Sequence, residues 1–201
     1  MAFQKRLLLA TQNHAKLLEI KSIIERNAQP HKITILTSDG SSIADIKEGI
    51  QSYEANAKVK AMYFTERFRV DSLGEDSGIE IPALNGFPGV VSARFVKGSD
   101  MDRNNALLER MKHLEGHDRH AVFKAYVVIA CTNGSFFTGY GALEGHITEA
   151  LSGSNGFGYD PVFIPDGYDV TLAMLNPEEK NRISHRKKAI MSAIQEYLKP
   201  G

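Results

Sequence analysis

Two adjacent acids, Glu75 and Asp76, lie between glycines in the segment Gly74-Glu75-Asp76-Ser77-Gly78. Neighbouring carboxylates repel each other, and burying them costs several kcal/mol unless another charge compensates. A fold can therefore keep this pair only where it faces water, basic side chains or a divalent metal ion. The flanking glycines permit a sharp turn and the close approach of a ligand. The segment alone predicts either an acidic surface turn or a site for Mg²⁺ and phosphate.

Composition narrows the function classes. The 201 residues fit one domain, 1–201, with two lobes around a cleft. The 24 basic side chains equal the 24 acidic ones, which argues against a dedicated nucleic-acid binder but permits a small anionic ligand. The single cysteine, Cys131, excludes an internal disulfide and a cysteine-based zinc cluster. The apolar run at Leu7 to Ala10 is too short for a signal peptide or a membrane span, so we expect a soluble, cytoplasmic protein.

Hydrophobic periodicity predicts helices and strands in mixed order along the chain. An Asn133-Gly134 pair predicts a hairpin, and Asn176 followed by Pro177 predicts a helix start. The expected fold class is α/β with a mixed sheet. The predicted strands are 7–10, 32–37, 79–81, 121–131 and 135–140, and the predicted helices are 15–26, 53–68, 100–114 and 185–198.

Two segments suit phosphate. Thr11 to Lys16 lies where a strand gives way to a helix, and the free N–H groups and positive dipole of a helix start attract anions. The segment lacks the glycines of a Walker A loop, and a plain helix cap is the alternative. In the second predicted helix Lys60 shares a face with Asn56, so Lys60 either extends to solvent or reaches a phosphate. Glu48 precedes that helix.

Two further segments have side chains that could bind the flat ring of a ligand. Gly156-Phe157-Gly158-Tyr159-Asp160-Pro161 sets aromatic residues in a flexible loop, where they either stack on a nucleotide base or fill the core. Ser184-His185-Arg186 begins the last predicted helix, with Lys180 just before it. A histidine next to an arginine at a helix start suits recognition of an anion or a carbonyl group.

Taken together, these segments resemble the inosine triphosphate pyrophosphatase family, also called Ham1-like. The resemblance runs in order from Leu7 to Leu198 and includes the stretch Leu84 to Phe95. Members of the family cleave nucleoside triphosphates to the monophosphate and pyrophosphate. The resemblance implies a long mixed β-sheet flanked by helices in two lobes, a nucleotide cleft between the lobes, and a homodimer.

The resemblance also implies a function and a set of site residues. We expect Mg²⁺-dependent cleavage of inosine, deoxyinosine and xanthosine triphosphates, which removes deaminated purines from the nucleotide pool. Asp76 is the expected catalytic base, and Glu48, Glu75 and Asp76 are the expected metal ligands. The expected substrate-binding residues are Thr11, Gln12, Asn13, His14, Ala15, Lys16, Lys60, Ser77, Phe157, Gly158, Tyr159, Asp160, Lys180, His185 and Arg186.

Two other functions are open at this stage. A Maf-type pyrophosphatase, which acts on modified pyrimidine nucleotides, also combines acids with lysines, but its motifs are absent from this sequence. A catalytically silent nucleotide-binding protein is the alternative from another class. The acidic pair argues against it, because simple binding of a triphosphate does not need carboxylates beside the phosphates.

Overall fold

The computed structural model describes residues 4–28, 32–37, 46, 49 and 51–199. Within these residues it contains five α-helices and seven β-strands. The strands are β1 Lys5–Ala10, β2 Ile33–Thr37, β3 Ser72–Ile81, β4 Phe87–Pro88, β5 His120–Ala130, β6 Phe136–Ile147 and β7 Phe163–Pro165. The helices are α1 His14–Asn27, α2 Tyr53–Phe68, α3 Asp100–Arg110, α4 Pro177–Ile183 and α5 His185–Tyr197.

The strands form one mixed sheet, which confirms the predicted α/β class. The strand order is β2-β1-β3-β5-β6-β7, and β4 pairs with β3. β1 runs parallel to both β2 and β3, whereas β6 and β7 are antiparallel. A tight turn joins β5 to β6 where the Asn133-Gly134 pair predicted a hairpin, and Gly134 adopts a φ of 86° there. None of the described helices is long and apolar enough to cross a membrane.

The chain divides into two compact units, each with its own core. The first unit comprises Met1–Asp76, Ala125–Gly141 and His185–Gly201, and the second comprises Ser77–Lys124 and Ala142–Ser184. The first core packs α1 and α5 residues such as Ile20 and Ile194 with strand residues such as Leu7. The second core is built around Ile79, Leu107 and Phe163. The chain passes from one unit to the other within β3, β5 and β6, and a fourth time between α4 and α5.

Side-chain caps set the beginnings of the helices, as the sequence predicted. The Asn13 side chain accepts a hydrogen bond from the Lys16 N–H at the start of α1. Ser52 caps α2 through the Ala55 N–H, and the bounds of α2 agree with the prediction. At α4 the Asn176 side chain is the cap and Pro177 occupies the first turn, where its missing N–H removes no helical hydrogen bond.

The prediction that the acidic segment forms a turn is wrong. Gly74 to Gly78 lies inside β3, and the predicted strand 79–81 is only the end of this longer strand. A Cβ atom on Gly74 would lie 2.1 Å from the Ala57 carbonyl oxygen of α2, so this glycine permits contact between strand and helix backbones rather than a turn. The third helix also ends earlier than predicted, at Arg110, and β6 continues past residue 140 to Ile147.

Candidate active site

The acidic pair lies just beyond the last residue of a neighbouring parallel strand. Ala10 ends β1 and pairs with Gly74, so Glu75 and Asp76 follow directly after the paired stretch. Ligands of open α/β sheets commonly bind outside the carboxyl ends of strands. Both acids are nonetheless buried, with exposed fractions of 2% for Glu75 and 7% for Asp76. Their charges must therefore be balanced by neighbouring groups.

Glu75 is held by two cations. Lys16 Nζ lies 2.9 Å from Glu75 Oε2, and Arg186 Nε lies 3.0 Å from Oε1. Arg186 also forms an ion pair with Glu19, with 3.0 Å between Nη1 and Oε2. α1 supplies Lys16 and Glu19 three positions apart, and α5 supplies Arg186 in its first turn.

This arrangement keeps Glu75 ionised. Burial alone would raise its pKa, but the positive charges of Lys16, Arg186 and Lys60 outweigh burial and hold the pKa well below its ordinary value. Burial likewise opposes the charge of Arg186, yet Glu19 and Glu75 raise the pKa of the guanidinium above its ordinary value. Glu75 and Arg186 therefore form a buried pair that stays charged, and Glu19 contacts the same guanidinium.

Asp76 has different partners, all from α2. Asn56 Nδ2 donates to Asp76 Oδ2 at 2.8 Å, and Lys60 Nζ lies 3.4 Å from Oδ1. The Asn56 amide also exchanges hydrogen bonds with the backbone N–H and C=O of Gly49, which fixes its orientation. Burial raises the pKa of Asp76 above its usual value, against the lowering effects of Lys60, Lys16 and Asn56. Asp76 is thus the stronger base of the pair.

The predicted anion-binding segment is a capped helix start beside this cluster. The Thr11 hydroxyl accepts from the Asn13 N–H at 3.2 Å, and Asn13 Oδ1 accepts from the Lys16 N–H at 3.0 Å. Gln12, Asn13 and His14 are exposed, whereas Thr11, Ala15 and Lys16 are half-buried. The segment therefore presents solvent-accessible polar groups next to the ammonium group that contacts Glu75.

The second unit contains the predicted base-recognition loop. Asp160 Oδ2 accepts from the Phe157 N–H at 2.8 Å and from Lys180 Nζ at 2.6 Å. The Lys180 ammonium also lies 4.4 Å from the centre of the Phe157 ring, a distance typical of a cation–π contact. Tyr159 is buried, and its hydroxyl donates to the Ser92 carbonyl oxygen. Phe157 itself remains half-buried.

The predicted site residues are divided between the two units. The first unit holds Lys16, Lys60, Glu75, Asp76 and Arg186 as a cluster, together with the buried His185 at the start of α5. The second unit contains the loop residues, Lys180 and the half-buried Ser77. Glu48 lies outside the described residues.

Sequence reasoning missed two residues of the charged cluster. Glu19, the second partner of Arg186, received no attention as a buried acid, although its spacing from Lys16 was a usable signal. Asn56 was noted only for sharing a helix face with Lys60, and its hydrogen bond to Asp76 was not anticipated. Both residues act on groups that are distant in the chain, so local pattern alone did not reveal their partners.

The oxygen donors of the pair fit a hard divalent cation. Mg²⁺ prefers carboxylate oxygens, keeps several waters and often takes only one or two protein carboxylates together with substrate phosphates. Glu75 and Asp76 supply such oxygens, and each oxygen retains acceptor capacity beside its present hydrogen bond. In the described part of the chain no cluster of three or more acids, histidines or cysteines is arranged to hold a metal. Two adjacent carboxylates match the number that Mg²⁺ often takes from a protein together with substrate phosphates.

Comparisons with known proteins agree on one family. A model of the Ham1 family matches residues 7–196. A dITP/XTP pyrophosphatase of Oceanobacillus iheyensis is 41% identical over 190 residues, covering 92% of this chain and 94% of the relative. A dITP/XTP pyrophosphatase of Thermus thermophilus is 39% identical over 193 residues, covering 96% and 91% respectively. The solved structure of a HAM1 protein from Coxiella burnetii has a TM-score of 0.83 at 32% identity, covering 96% of this chain and 98% of that one.

Proposed function

The chain belongs to the Ham1 family, and on that premise we propose that it cleaves inosine, deoxyinosine and xanthosine triphosphates to the monophosphate and pyrophosphate. One observation carries the proposal beyond family membership. Two buried carboxylates, Glu75 and Asp76, lie among three basic side chains, those of Lys16, Lys60 and Arg186. The carboxylate oxygens are potential metal ligands, and the basic groups are potential phosphate ligands. Phosphoryl chemistry depends mainly on positioning and on charge neutralisation, and this cluster offers groups for both.

Lys16 and Lys60 are the proposed phosphate ligands. In the absence of substrate their ammonium groups neutralise Glu75 and Asp76. When a triphosphate binds, each lysine exchanges a carboxylate oxygen for a phosphate oxygen, so substrate entry requires no additional protein cation. The helix start at Thr11, Gln12, Asn13, His14 and Ala15 contributes backbone and side-chain donors, and Ser77 contributes a hydroxyl.

Glu75 and Asp76, with Glu48, are the proposed ligands of Mg²⁺. A bound Mg²⁺ neutralises phosphate charge and orients the scissile bond. Glu75 is suited to ligation because neighbouring cations keep it ionised, and the exchange of Lys16 to a phosphate would leave Glu75 Oε2 available to the metal. Asp76 has a neutral amide partner and a lysine at the longer distance of 3.4 Å. We therefore assign Asp76 the additional role of accepting the proton of the attacking water.

Base recognition is assigned to the Phe157 loop, to Lys180, and to His185 and Arg186. Phe157 offers a ring for stacking, an interaction worth about 1–3 kcal/mol per base. Inosine and xanthosine carry an acceptor at the 6-oxo position, whereas adenosine carries an amino donor. The N–H donors of Lys180 and Arg186 therefore hydrogen-bond to a 6-oxo group and not to the amino group of adenosine. Asp160 is the proposed acceptor for a ring N–H, and Gly158 and Tyr159 shape the loop.

The expected biological setting follows from the same proposal. Hydrolysis of deaminated purine triphosphates removes them before polymerases incorporate them into DNA or RNA. We propose that the protein acts on free nucleotides in the cytoplasm, without contact with nucleic-acid polymers or membranes, and that it forms the homodimer which the family resemblance implies.

Product analysis tests this function. Purified protein incubated with ITP and Mg²⁺ is expected to release equal amounts of IMP and pyrophosphate, without free phosphate. EDTA should abolish the release and Mg²⁺ should restore it, while Ca²⁺ substitutes poorly because it takes more ligands at longer distances. Release of phosphate and IDP would contradict the proposed cleavage between the α- and β-phosphates. Binding of ITP without turnover would identify a silent nucleotide-binding protein instead.

A further inference from the structure

Helix α3 holds one residue of the base-recognition loop, Gly158, through both its N–H and its carbonyl oxygen. Asp100 Oδ2 accepts from the Gly158 N–H at 2.6 Å, and Asn104 Nδ2 donates to the Gly158 carbonyl oxygen at 2.9 Å. Asp100 and Asn104 are four positions apart, so they lie on the same face of the helix. We call these two side chains the α3 clamp.

The clamp is itself held in place. Ser99 and Asp102 form a reciprocal capping box that secures the first turn of α3. Arg103 donates to Asp100 Oδ1 at 2.5 Å and to the Gly98 carbonyl oxygen at 2.8 Å, which orients the Asp100 carboxylate towards Gly158. Asn104 is only 1% exposed, so its amide has little freedom to turn away. The donor and the acceptor are therefore presented at fixed positions.

The clamped residue, Gly158, directly follows Phe157. Residues 151–159 contain no helix or strand, so individual hydrogen bonds rather than a regular ladder hold the backbone there, among them Ser152 N–H to the Pro161 oxygen and Asn155 N–H to the Ala173 oxygen. Gly158 adopts a φ of 62°, and its N–H lies in the peptide plane shared with Phe157, so fixing this N–H restrains the backbone of the preceding residue. On the other side, Asp160 holds the Phe157 N–H and Lys180 lies over the ring. The Phe157 carbonyl oxygen also accepts from the Asp160 N–H at 3.3 Å, and the α3 clamp adds two hydrogen bonds at the next residue to these contacts.

We propose that Asp100 and Asn104 are positioning residues for base recognition, acting through Gly158 on the Phe157 ring. The inference rests on the proposed function, in which Phe157 contacts the purine. A ring already fixed before binding loses less conformational entropy when a base stacks on it, so the clamp strengthens binding of the base. The competing explanation is ordinary packing of α3, which would affect stability but not the ring or the base preference.

A fluorescence experiment tests the clamp without any reference to catalysis. The chain has no tryptophan, so Phe157→Trp introduces a single reporter at the loop. Adding Asn104→Ala is expected to lower the steady-state anisotropy of this tryptophan, because the indole gains mobility. Asn105→Ala, the same substitution at the adjacent exposed position, should leave it unchanged. Equal anisotropy in the Asn104 and Asn105 variants would overturn the proposal.

Kinetics test the consequence for recognition. Asn104→Ala should raise KM for ITP about tenfold, equivalent to about 1.4 kcal/mol, with a smaller change in kcat. Inhibition by inorganic tripolyphosphate, which has no base, should be unaffected.

The Asp100 side chain is 46% exposed, so its variants are expected to fold: Asp100→Ala should raise KM, and Asp100→Asn, which keeps an acceptor, should restore it.

The outcomes separate this inference from the function on which it rests. If wild-type protein does not cleave ITP, the proposed function fails and so does the kinetic part of the inference, while the anisotropy still decides whether the clamp orders the ring. If wild type cleaves ITP but the variants weaken ITP and tripolyphosphate equally, the clamp has no specific role in base recognition and the inference is wrong.

Discussion

Glu75 and Asp76 are neighbours in the chain, yet their surroundings prepare them for different tasks. Glu75 is enclosed by Lys16 and Arg186, which keep it charged. Asp76 receives one amide hydrogen bond and a longer lysine contact, and burial raises its pKa. Adjacent strand residues point to opposite faces, which explains how two consecutive acids acquire different partners. The proposed split between metal ligand and proton acceptor follows from this difference.

Asp76→Asn tests the proton-accepting role. Asparagine keeps the shape of the side chain but removes its charge and basicity, so kcat should fall by roughly 10²–10⁴. Nucleotide binding, measured by calorimetry with ITP under conditions without turnover, should remain within a few-fold of wild type. Turnover close to wild type at saturating Mg²⁺ would show that the base has been assigned to the wrong residue.

Arg186→Ala tests the buried charge chain. The substitution leaves Glu19 and Glu75 buried without the guanidinium, and breaking a buried pair in this way lowers the free energy of unfolding by about 3–5 kcal/mol. Arg182→Ala is the matched control, because Arg182 is 69% exposed and pairs with Glu179 at 3.7 Å. An exposed pair contributes about 0–1 kcal/mol. Urea unfolding of both variants measures the difference, and equal losses would contradict the account.

The same variant tests whether Arg186 also contacts the base. If it does, kcat/KM should fall more for ITP than for ATP, because the variant loses a donor that favours an oxo group. If activity towards both nucleotides falls in parallel, Arg186 only braces Glu75. The measurement is made at a temperature where circular dichroism shows the variant to be folded.

At the scale of elements, glycines control how closely helices approach the sheet in the first unit. A Cβ on Gly139 would lie 2.0 Å from the Ala189 carbonyl oxygen, and one on Gly141 would lie 2.0 Å from that of His185. Both glycines belong to β6 and both contacts are with α5, so the helix backbone rests directly on the strand. Gly74 of β3 has the same relation to α2. These contacts set the positions of the helices that carry Arg186 and Lys60.

Gly74→Ala should therefore disturb both stability and the site. The new Cβ would lie 2.1 Å from the Ala57 oxygen and 2.7 Å from the Ala61 nitrogen, which are backbone atoms that cannot rotate away. We expect a loss of about 1–3 kcal/mol in unfolding free energy and a lower kcat, since α2 carries Asn56 and Lys60. At Gly49 a Cβ would meet its nearest atom at 3.7 Å, so Gly49→Ala should keep wild-type stability. Thermal unfolding that ranks the two variants equally would contradict the packing argument.

Sequence pattern predicted elements better than it predicted their detailed roles. The helix 53–68 was predicted at its observed bounds because Ser52 is a good cap and the apolar spacing is regular. The acidic segment was mistaken for a turn because glycines beside charged residues usually indicate one. The segment instead belongs to a strand that lies between β1 and β5, and cations from other elements offset the charge of its acids, which no local rule includes. Tertiary contacts therefore overrode the local signal.

At the scale of the whole molecule, the order of the motifs along the chain predicted the family and the class of fold. It did not predict which side chains pair with each other in the site. Arg186 and Glu75 are 111 positions apart, and Lys16 and Glu75 are 59 apart. Such pairs form only when the sheet brings α1, α5 and β3 together. Two lobes were expected from the sequence, but periodicity did not indicate where the chain changes unit, because three of the boundaries fall inside strands whose pattern continues unchanged across them.

A comparison of nucleotides by pyrophosphate release tests the central claim most directly. ITP, XTP, dITP, GTP, ATP and modified pyrimidine triphosphates are compared by kcat/KM with saturating Mg²⁺. The account predicts that ITP, XTP and dITP exceed ATP by roughly 10²-fold, because an amino group facing buried donors leaves both groups unpaired at about 1–3 kcal/mol each. A preference for modified pyrimidine nucleotides, or equal values for ITP and ATP, would contradict it.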